Sequence, residues 1–428
     1  MSLTPTDRIK ILDEVNKFVL AKHFNVKSPL QDYSQWKCLA QEQAPKLTHA
    51  TTDEEFERGV RALLAALESS HTAFTRQKAN DMPAQHAINA TVSPIQTERG
   101  EAWMFVDVIE DGMADQAGIK PGEILAAIDG VRIAPPQTPK FTLGHRHRLT
   151  VIHGSERTVD VEVPNRTAKD RPPLIEPRSF TYRMFTPEIG LLKVASFPGT
   201  IGNEFAKALD AAMTDLKQQG CHKLIVDFRG NVGGGLGSLR LMSYLCADQR
   251  PIGHSLTRHR FTKGYDKHRL TRIGKIPSGK WELLRMALKF RYLHKDRSMV
   301  LVTEGLGPQP FHGQMVILIN EHTHSAAEMV ASFATENKLA TLVGTTTAGQ
   351  VLGGANFKLH GGYTLRMPVA GWYTWNEQCI EGRGVSPDLE VFVTQRDLLK
   401  GRDAQMSQAR DLLEQRQAIS AGQTFRIG

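Results

Sequence analysis

The amino-acid sequence predicts an α/β protein with a helical N-terminal segment and an inserted β-rich domain. Three observations lead to this class. Apolar residues recur at helical spacing early in the chain, short β-rich runs separated by turns follow, and strands then alternate with helices from about residue 180. We therefore divide the 428 residues into an N-terminal helical domain, a β-rich domain and an α/β domain, at 1–80, 84–165 and 178–428.

In the first domain, Thr52 followed by Glu55 has the spacing of a capping box and predicts a helix that ends at 68–74. An earlier helix is predicted with Thr6 as its N-cap. The apolar face of that helix is expected to carry four residues, Ile9, Leu12, Val15 and Val19.

Composition narrows the class of protein. With 40% apolar and 23% charged residues the chain has an ordinary globular composition, and no apolar run approaches the roughly 18–20 residues of a membrane span. The four cysteines are far apart and form no CxxC pair, so we expect buried free thiols and no zinc site. No metal or organic cofactor is expected. The N-terminus lacks an apolar signal core, which predicts a cytoplasmic protein; a periplasmic or exported one stays open if a signal has been removed.

Positive charge is concentrated in one segment. The formal net charge is +8, yet residues 250–297 alone contribute fourteen Lys and Arg against three Asp and Glu. The remainder of the chain is therefore slightly acidic. This asymmetry argues against nucleic acid as a partner, because a nucleic-acid-binding surface needs basic residues across its footprint.

The β-rich domain contains one ordered series of signals at residues 108–133. A strand, a short helix over Ala114–Ala117, a Pro-Gly turn, a second strand and the Asp129-Gly130 hairpin signal follow one another. This series resembles a PDZ domain of the bacterial protease type. The resemblance implies capture of an extended peptide by strand addition. The glycine-rich carboxylate loop of such domains is not obvious in 86–94, so a packing or regulatory role stays open. Residues 165–177 are predicted to be a linker.

The last domain has the pattern of a parallel sheet. Buried strands are predicted at 189–197, 223–228, 315–320 and 340–344, with a helix at 203–220. A segment at 385–394 and a C-terminal helix complete it.

A glycine-rich turn, DFRGNVGGGLGS at 227–238, follows one of these strands and precedes a helix. Glycines let backbone N–H groups face an incoming group, so the turn suits either a phosphate or an oxyanion. The sequence is not GxxxxGK[ST], which disfavours the nucleotide interpretation. A purely structural turn is the third interpretation.

Ser325 follows a strand and opens the helix SAAEMVASFATE. One interpretation is an N-cap serine, because Glu328 has the capping-box spacing. The other is a nucleophile, made accessible by the small residues Ala326 and Ala327. A nucleophilic serine needs a base, and His71 in SSHT is the best candidate. His322 and His324 rank lower because neighbouring side chains diverge.

Several segments in order are similar to the C-terminal processing and tricorn-core serine peptidase family. They span about residues 5–415 and read LLAALESSHTAF, IGLLKVASF, KLIVDFRGNVGGG, VILINEHTHSAAEMVASF, ATLVGTTTAGQ and CIEGRGVSPDLEV, together with the PDZ-like stretch. The resemblance implies a crotonase/ClpP-like catalytic domain with Ser325 as nucleophile.

The resemblance also implies a base. One branch of the family uses a lysine about 25 positions after the serine, where this chain has Gln350, so that dyad is excluded at this position. The tricorn-like branch implies His71 as base, oriented by Ser70 and Glu381. Without the resemblance, Glu381 would be interpreted as a surface partner of Arg383.

By the same resemblance, the oxyanion hole would combine the amide of Ala326 with that of Gly233 or Gly234. The tricorn-like enzyme has an acidic residue after its nucleophile, where this chain has alanine. A backbone amide needs no particular side chain, so this departure concerns the surroundings of the hole.

The least family-like part is an insert at 247–312, which contains a predicted basic amphipathic helix at 281–295. Such a helix suits a membrane surface, a lid, or packing against the domain with a solvated basic face.

The sequence thus predicts a serine endopeptidase or C-terminal processing peptidase acting on peptides or unfolded proteins. A catalytically silent binding protein of the same fold is the main alternative, and a crotonase-like acyl enzyme is a weaker one. Association with a second copy stays open.

Overall fold

The structure is a computed structural model of the chain. It describes residues 2–423 apart from 26–32, 77–80, 99, 165–177, 200, 278, 280, 283, 286–287, 289–297, 308–310 and 312. The predicted linker at 165–177 and much of the predicted basic helix at 281–295 therefore lie outside the described residues.

The described helices are bounded as follows: α1 (Pro5–Lys22), α2 (Ser34–Thr48), α3 (Asp53–Ala65), α4 (Ala84–Ala87), α5 (Met113–Gln116), α6 (Asn203–Gln218), α7 (Gly237–Leu245), α8 (Arg258–Lys263), α9 (Ala326–Glu336), α10 (Gln395–Leu399) and α11 (Ala404–Gln423).

The described strands are β1 (Ala73–Arg76), β2 (Asp81–Pro83), β3 (Ala90–Thr97), β4 (Gly100–Val108), β5 (Ile124–Ile128), β6 (Val131–Arg132), β7 (Lys140–Thr142), β8 (Arg146–His153), β9 (Ser155–Glu162), β10 (Phe180–Met184), β11 (Ile189–Val194), β12 (Lys223–Asp227), β13 (Pro251–Thr257), β14 (Thr271–Ile273), β15 (Met299–Val302), β16 (Gln314–Ile319), β17 (Thr341–Gly344), β18 (Gly353–Lys358), β19 (Tyr363–Thr374) and β20 (Leu389–Glu390).

A six-stranded sheet in the order β10-β11-β12-β16-β17-β20 organises the C-terminal part of the chain. Its pairs from β11 to β20 are parallel, and β10 is antiparallel at one edge. Helices α6, α7 and α9 cover one face, and α11 covers the other with Ala409 and Leu413. A parallel sheet covered on both faces explains why its strands are almost uniformly apolar, as the sequence pattern predicted.

A second sheet has the order β1-β19-β13-β15-β14, with β18 also paired to β19. It joins the N-terminal segment to the C-terminal part of the chain. Its strand β1 comes from the N-terminal segment. Phe74 on β1 and Tyr363 on β19 stack with ring centroids 4.8 Å apart and pack against helices α1–α3. This pairing carries the turn that precedes β1, and with it His71, towards the C-terminal part of the molecule.

The β-rich part forms a third sheet in the order β3-β4-β5-β8-β9, with its own buried apolar core. The predicted hairpin is confirmed, because Ile128 pairs with Val131 around Asp129 and Gly130, both at positive φ. The short helix predicted over Ala114–Ala117 is observed one residue earlier, as α5.

Two predictions about the first helix were wrong. Its N-cap is Thr4, whose side chain accepts from the Asp7 amide in a capping box with Pro5 at the first helical position, and Thr6 lies inside the helix. The buried face consists of Arg8, Ile11, Val15 and Val19, while Ile9 is 48% exposed. The packing partners, which the sequence did not reveal, select a face rotated from the expected one.

The predictions about the N-cap of α3 and about the cysteines had different outcomes. Thr52 is the N-cap of α3, as predicted, although Glu55 bonds back to the Thr51 amide. All four cysteines are free, but the expectation that all are buried was wrong, because Cys38 is exposed and Cys379 half-buried. Among the described residues, no helix has the length and apolar character that crossing a membrane requires.

Candidate active site

Ser325 occupies the turn that joins β16 to α9. Its backbone angles are φ 54° and ψ −115°, which is unusual for a residue with a side chain. Its amide donates to Oε2 of Glu328 at 2.9 Å, and the residue is half-buried. A serine held on a sharp strand-to-helix turn presents its hydroxyl outwards, as nucleophilic serines do on other folds. The contacts of the residues that follow Ser325 hold it in this strained backbone conformation.

Glu328 is the main support of this turn. The side chain is fully buried, and its two oxygens accept four hydrogen bonds. The donors are the Thr347 hydroxyl at 2.6 Å and the amides of Gly349 at 2.6 Å, Gln350 at 2.9 Å and Ser325 at 2.9 Å. Burial raises the pKa of this carboxyl, and the hydrogen bonds oppose that shift. The capping-box spacing predicted only the bond to Ser325.

The glycine-rich turn after β12 packs directly against the serine. A methyl group placed on Gly233 would lie 2.6 Å from Cβ of Ser325 and 2.9 Å from the carbonyl oxygen of His324, so only glycine fits there. The Gly233 amide donates to Oδ1 of Asn231 at 2.7 Å and is therefore already engaged, contrary to one form of the predicted oxyanion hole. The amides of Gly234 and Ala326 donate to no other described residue.

Two buried asparagines connect the glycine turn with the serine turn. Asn231 is fully buried, and its side-chain Nδ2 donates to the Val194 carbonyl at 2.7 Å. Its backbone carbonyl accepts from the His324 amide at 2.9 Å. These bonds fix the spacing between the glycine turn and the residue that precedes Ser325. Sequence reasoning missed Asn231, because a polar residue inside a glycine-rich turn carries no distinctive signal.

Asn320 directly follows β16 and is 3% exposed. Its Oδ1 accepts from the amides of Gly230 and His322, each at 3.1 Å, and its Nδ2 donates to Oδ2 of Asp107 at 3.0 Å. Asp107 belongs to β4 of the third sheet. One side chain therefore joins the glycine turn, the serine turn and the β-rich region, which sequence reasoning also missed.

His71 lies on the turn between α3 and β1, with φ 59°. Its Nδ1 is 2.8 Å from the Oγ of Ser70, as expected for a serine that orients the ring. Burial, with smaller contributions from the Arg366 guanidinium and from His324, lowers the pKa of His71 to about 4.

Glu381 is bonded to the segment that leads to Gly354. Its Oε2 accepts from the Val351 amide at 2.7 Å. Val351 follows the Gly349–Gln350 segment held by Glu328 and precedes Gly354, where an added methyl group would lie 3.7 Å from Cβ of His71. One short segment thus contacts Glu328, Glu381 and the surroundings of His71.

Part of this chain, including the Ser325 turn, matches a known protein family. Residues 188–391 match the family described as Peptidase family S41. The matched region, which is just under half of the chain, is similar to that family. It contains Ser325, the glycine turn and Glu381, whereas Ser70 and His71 lie before it in the chain.

The similar curated proteins are named as peptidases. The carboxy-terminal processing protease CtpA of Bacillus subtilis is 21% identical over 80% of this chain and 65% of its own length. The putative tricorn protease homolog 2 of Streptomyces coelicolor is 23% identical over 89% of this chain and 30% of its own length. The chain therefore spans less than two thirds of the length of either relative.

Solved structures share the fold of this chain at low identity. The photosystem II D1 C-terminal processing protease has a TM-score of 0.56 at 17% identity and covers 90% of this chain and 93% of its own. Mature CPAF has a TM-score of 0.58 at 14% identity, covering 92% and 94%. The predicted mixed α/β class is confirmed by these likenesses.

Other candidate groups near Ser325 already have hydrogen-bond partners. His324 donates from Nδ1 to the His322 carbonyl at 2.8 Å, and the Nε2 of His322 lies 2.8 Å from the Oγ of Ser93. Gln350 stands where one branch of the family has a lysine. Its backbone N–H donates a hydrogen bond to Glu328. Within the described ranges, no three His, Cys, Asp or Glu side chains are grouped so as to hold a metal ion.

Proposed function

We propose that the protein is a serine peptidase that cleaves peptide bonds in peptides or unfolded proteins. The observation that carries the proposal is that the segment 349–354 bonds to Glu328, which holds the Ser325 turn, and also passes beside His71, more than 200 residues away in the chain. The family match of residues 188–391 and the peptidase names of the relatives support the same reaction.

His71 is the proposed general base. With Nδ1 of the neutral ring donating to Ser70, Nε2 is left unprotonated and able to accept a proton. The lowered pKa keeps the ring neutral at pH 7. In acylation, Nε2 accepts the hydroxyl proton as the Oγ of Ser325 attacks the carbonyl carbon, and the proton then passes to the leaving amine. In deacylation, water gives a proton to the same nitrogen as its oxygen attacks the carbonyl carbon of the ester. The Oγ of Ser325 then leaves, takes that proton from Nε2, and the acid product is released.

The amides of Gly234 and Ala326 are the proposed oxyanion donors. Both lie on the turns that meet at Ser325, and neither donates to another described residue. Amides fixed before the reaction stabilise the negative charge of the tetrahedral intermediate without reorganisation. The contribution of Gly233 is then its lack of a side chain, which permits the close approach of the two turns.

Glu381 is the proposed acidic partner of the Ser70–His71 pair. Its bond to the Val351 amide holds the segment that leads to Gly354, beside His71. A carboxylate on this side would stabilise the imidazolium that forms during each proton transfer.

The finer features of the fold belong to the same proposal. The C-terminal part would be a crotonase/ClpP-like catalytic domain, and the β-rich region a PDZ-like domain that recognises peptide C-termini. A sheet with two edges, β3 and β9, a short helix and the Asp129-Gly130 hairpin support the second assignment. Contact of the basic segment 281–295 with a membrane surface stays a prediction from the sequence, as does association with a second copy.

Labelling by a fluorophosphonate probe tests the reaction. We expect the wild-type protein to be labelled and to hydrolyse an unfolded substrate such as casein, and the Ser325→Ala variant to do neither. Ser332→Ala, which changes a serine on the same helix that donates to the Met329 carbonyl, is the matched control and should retain both properties. A folded wild-type protein that is neither labelled nor active would favour a catalytically silent binding protein.

A further inference from the structure

Arg366 is an exposed arginine on β19, on the sheet face opposite to the N-terminal helices. Its neighbours Leu365 and Met367 are fully buried and pack into the core formed with those helices. Because successive side chains of a strand point to opposite faces, Arg366 points away from that core. Its cross-strand partner is Ala73, two residues after His71. His71 itself lies on the turn that leads into β1, so its position relative to Arg366 is given by the contacts of Gly354.

Gly354 leaves the space between the two side chains open. A methyl group there would lie 3.4 Å from Nε and 3.7 Å from Nη2 of Arg366, and 3.7 Å from Cβ of His71. The guanidinium is therefore close to the proposed base and is not covered by a side chain from residue 354. The positive charge of Arg366 also lowers the pKa values of His71 and His86.

Arg366 differs from other arginines of this region in its ion pairing with the described residues. None of the Asp and Glu residues that the structure describes forms an ion pair with it. Less exposed arginines of the S41 region are paired: Arg229 with Asp227 and Asp403, and Arg240 with Asp210 and Glu304. An arginine without a carboxylate, beside the groups that would carry out the reaction, has its five N–H donors available for a substrate.

We propose that Arg366 is a specificity residue that binds a carboxylate of the peptide substrate. The inference rests on the proposed peptidase function and adds the chemical class of the group recognised. A planar guanidinium matches a carboxylate with two parallel hydrogen bonds, which a neutral amide in the same place cannot reproduce. Two sources carry this group, the C-terminus of the substrate chain and an acidic side chain near the scissile bond.

A matched set of fluorogenic peptides distinguishes the two sources. One pair differs only in a free C-terminal carboxylate against a C-terminal amide, and the other only in Asp against Asn at positions flanking the cleaved bond. For the wild-type protein, we expect the carboxylate member of one pair to have a kcat/KM about 10- to 100-fold higher, mainly through KM. The pair that shows the preference identifies the source.

Variants of the arginine test its role in that ratio. Arg366→Gln should reduce the preference to about one, and Arg366→Lys should keep part of it, because lysine retains charge without the two-pronged geometry. Arg272→Gln is the control, since Arg272 is an exposed arginine on β14 at the far edge of the same sheet. The ratio between paired peptides removes any effect of the substitution on His71, which acts on both members alike.

The outcomes separate this inference from the function on which it rests. Equal kcat/KM values for both members of each pair in the wild-type protein, or an unchanged preference in Arg366→Gln, overturn the role of Arg366 while leaving a labelled, active peptidase. A wild-type protein that neither reacts with the fluorophosphonate nor hydrolyses any peptide overturns both. If Arg366→Gln does not fold, the wild-type ratio and Arg366→Lys still decide.

Discussion

The two halves of the candidate site are supported in different ways. Around Ser325, the supporting side chains Glu328, Asn231 and Asn320 are at most 3% exposed and bond to several backbone groups each. Around His71, the ring and Ser70 are half-buried and joined by a single described side-chain bond of 2.8 Å. The serine half is built by one sheet and its loops, and the histidine half arrives through pairing of β1 with β19.

The support of the histidine half is also one residue removed from the ring. Ser69, before Ser70, has its Oγ 2.9 Å from Nε2 of His23, a fully buried histidine. The difference teaches that substitutions near Ser325 should affect stability and activity together, while substitutions near His71 should affect activity with less change in stability.

The largest effect expected on this comparison is from His71→Ala. A general base contributes about 10²- to 10⁴-fold to a rate, so kcat/KM on a peptide should fall by that factor. The free energy of unfolding should change little, because the ring is half-buried. Activity assays and urea denaturation measure the two quantities, and His259→Ala, at an exposed histidine, is the control. Retention of full activity would remove His71 from the mechanism.

Glu328→Gln is expected to have the next largest effect. The amide group replaces one accepting oxygen by a donor, which leaves buried N–H or O–H groups without a partner. We expect a loss of about 2–4 kcal/mol in the free energy of unfolding, together with reduced activity. Glu54→Gln, in the exposed first turn of α3, should leave the denaturation midpoint unchanged. A stable but inactive Glu328→Gln protein would contradict the supporting role and point to direct participation in the reaction.

Ser70→Ala should have a smaller effect. One neutral hydrogen bond is worth about 0.5–1.5 kcal/mol, which corresponds to at most about a tenfold loss of kcat/KM. Ser70→Thr retains a hydroxyl and should recover most of the activity. If both variants lose activity equally, the hydroxyl is not the property that matters at this position.

The smallest expected change is that of activity between pH 6 and 8. The pKa of His71 is lowered to about 4, so the neutral base is already fully populated in that range and kcat/KM should be nearly constant. Activity should fall as pH drops through about 4. Because the folded pKa lies below the unfolded value, the same histidine also contributes stability that is lost as pH falls from about 6.5 towards 4. Circular dichroism at each pH separates unfolding from protonation, and an acid limb near 6.5 would contradict the burial of the ring.

Much of the fold was predictable because parallel strands and helices leave strong patterns. The buried strands β11, β12, β16 and β17 appear in the sequence as short apolar runs, and the residue pair Asp129-Gly130 marks a tight turn. The face of α1 was not predictable, since helical spacing alone allows neighbouring faces and the packing partner decides between them.

Less of the site was predictable. Ser325 was indicated by its place between strand and helix and His71 by its place at the end of an amphipathic helix, whereas the role of Ser70 came from the resemblance. The pairing of β1 with β19, which brings His71 across, has no local signal in either strand. The same holds for Asn320, because hydrogen bonds between residues distant in sequence depend on the assembled fold.

The bond from Asn320 to Asp107 has a consequence for dissecting the molecule into parts. Removing the β-rich region would take away the acceptor of the Asn320 amide group, whose oxygen still orders both turns at the nucleophile. A shortened protein without that region would then lose activity because the two turns at Ser325 are held less firmly. The loss would extend to short substrates that need no separate docking surface. Asp107→Ala in the intact chain removes only the carboxylate that accepts from Asn320. It therefore tests this contribution of the β-rich region separately from any other.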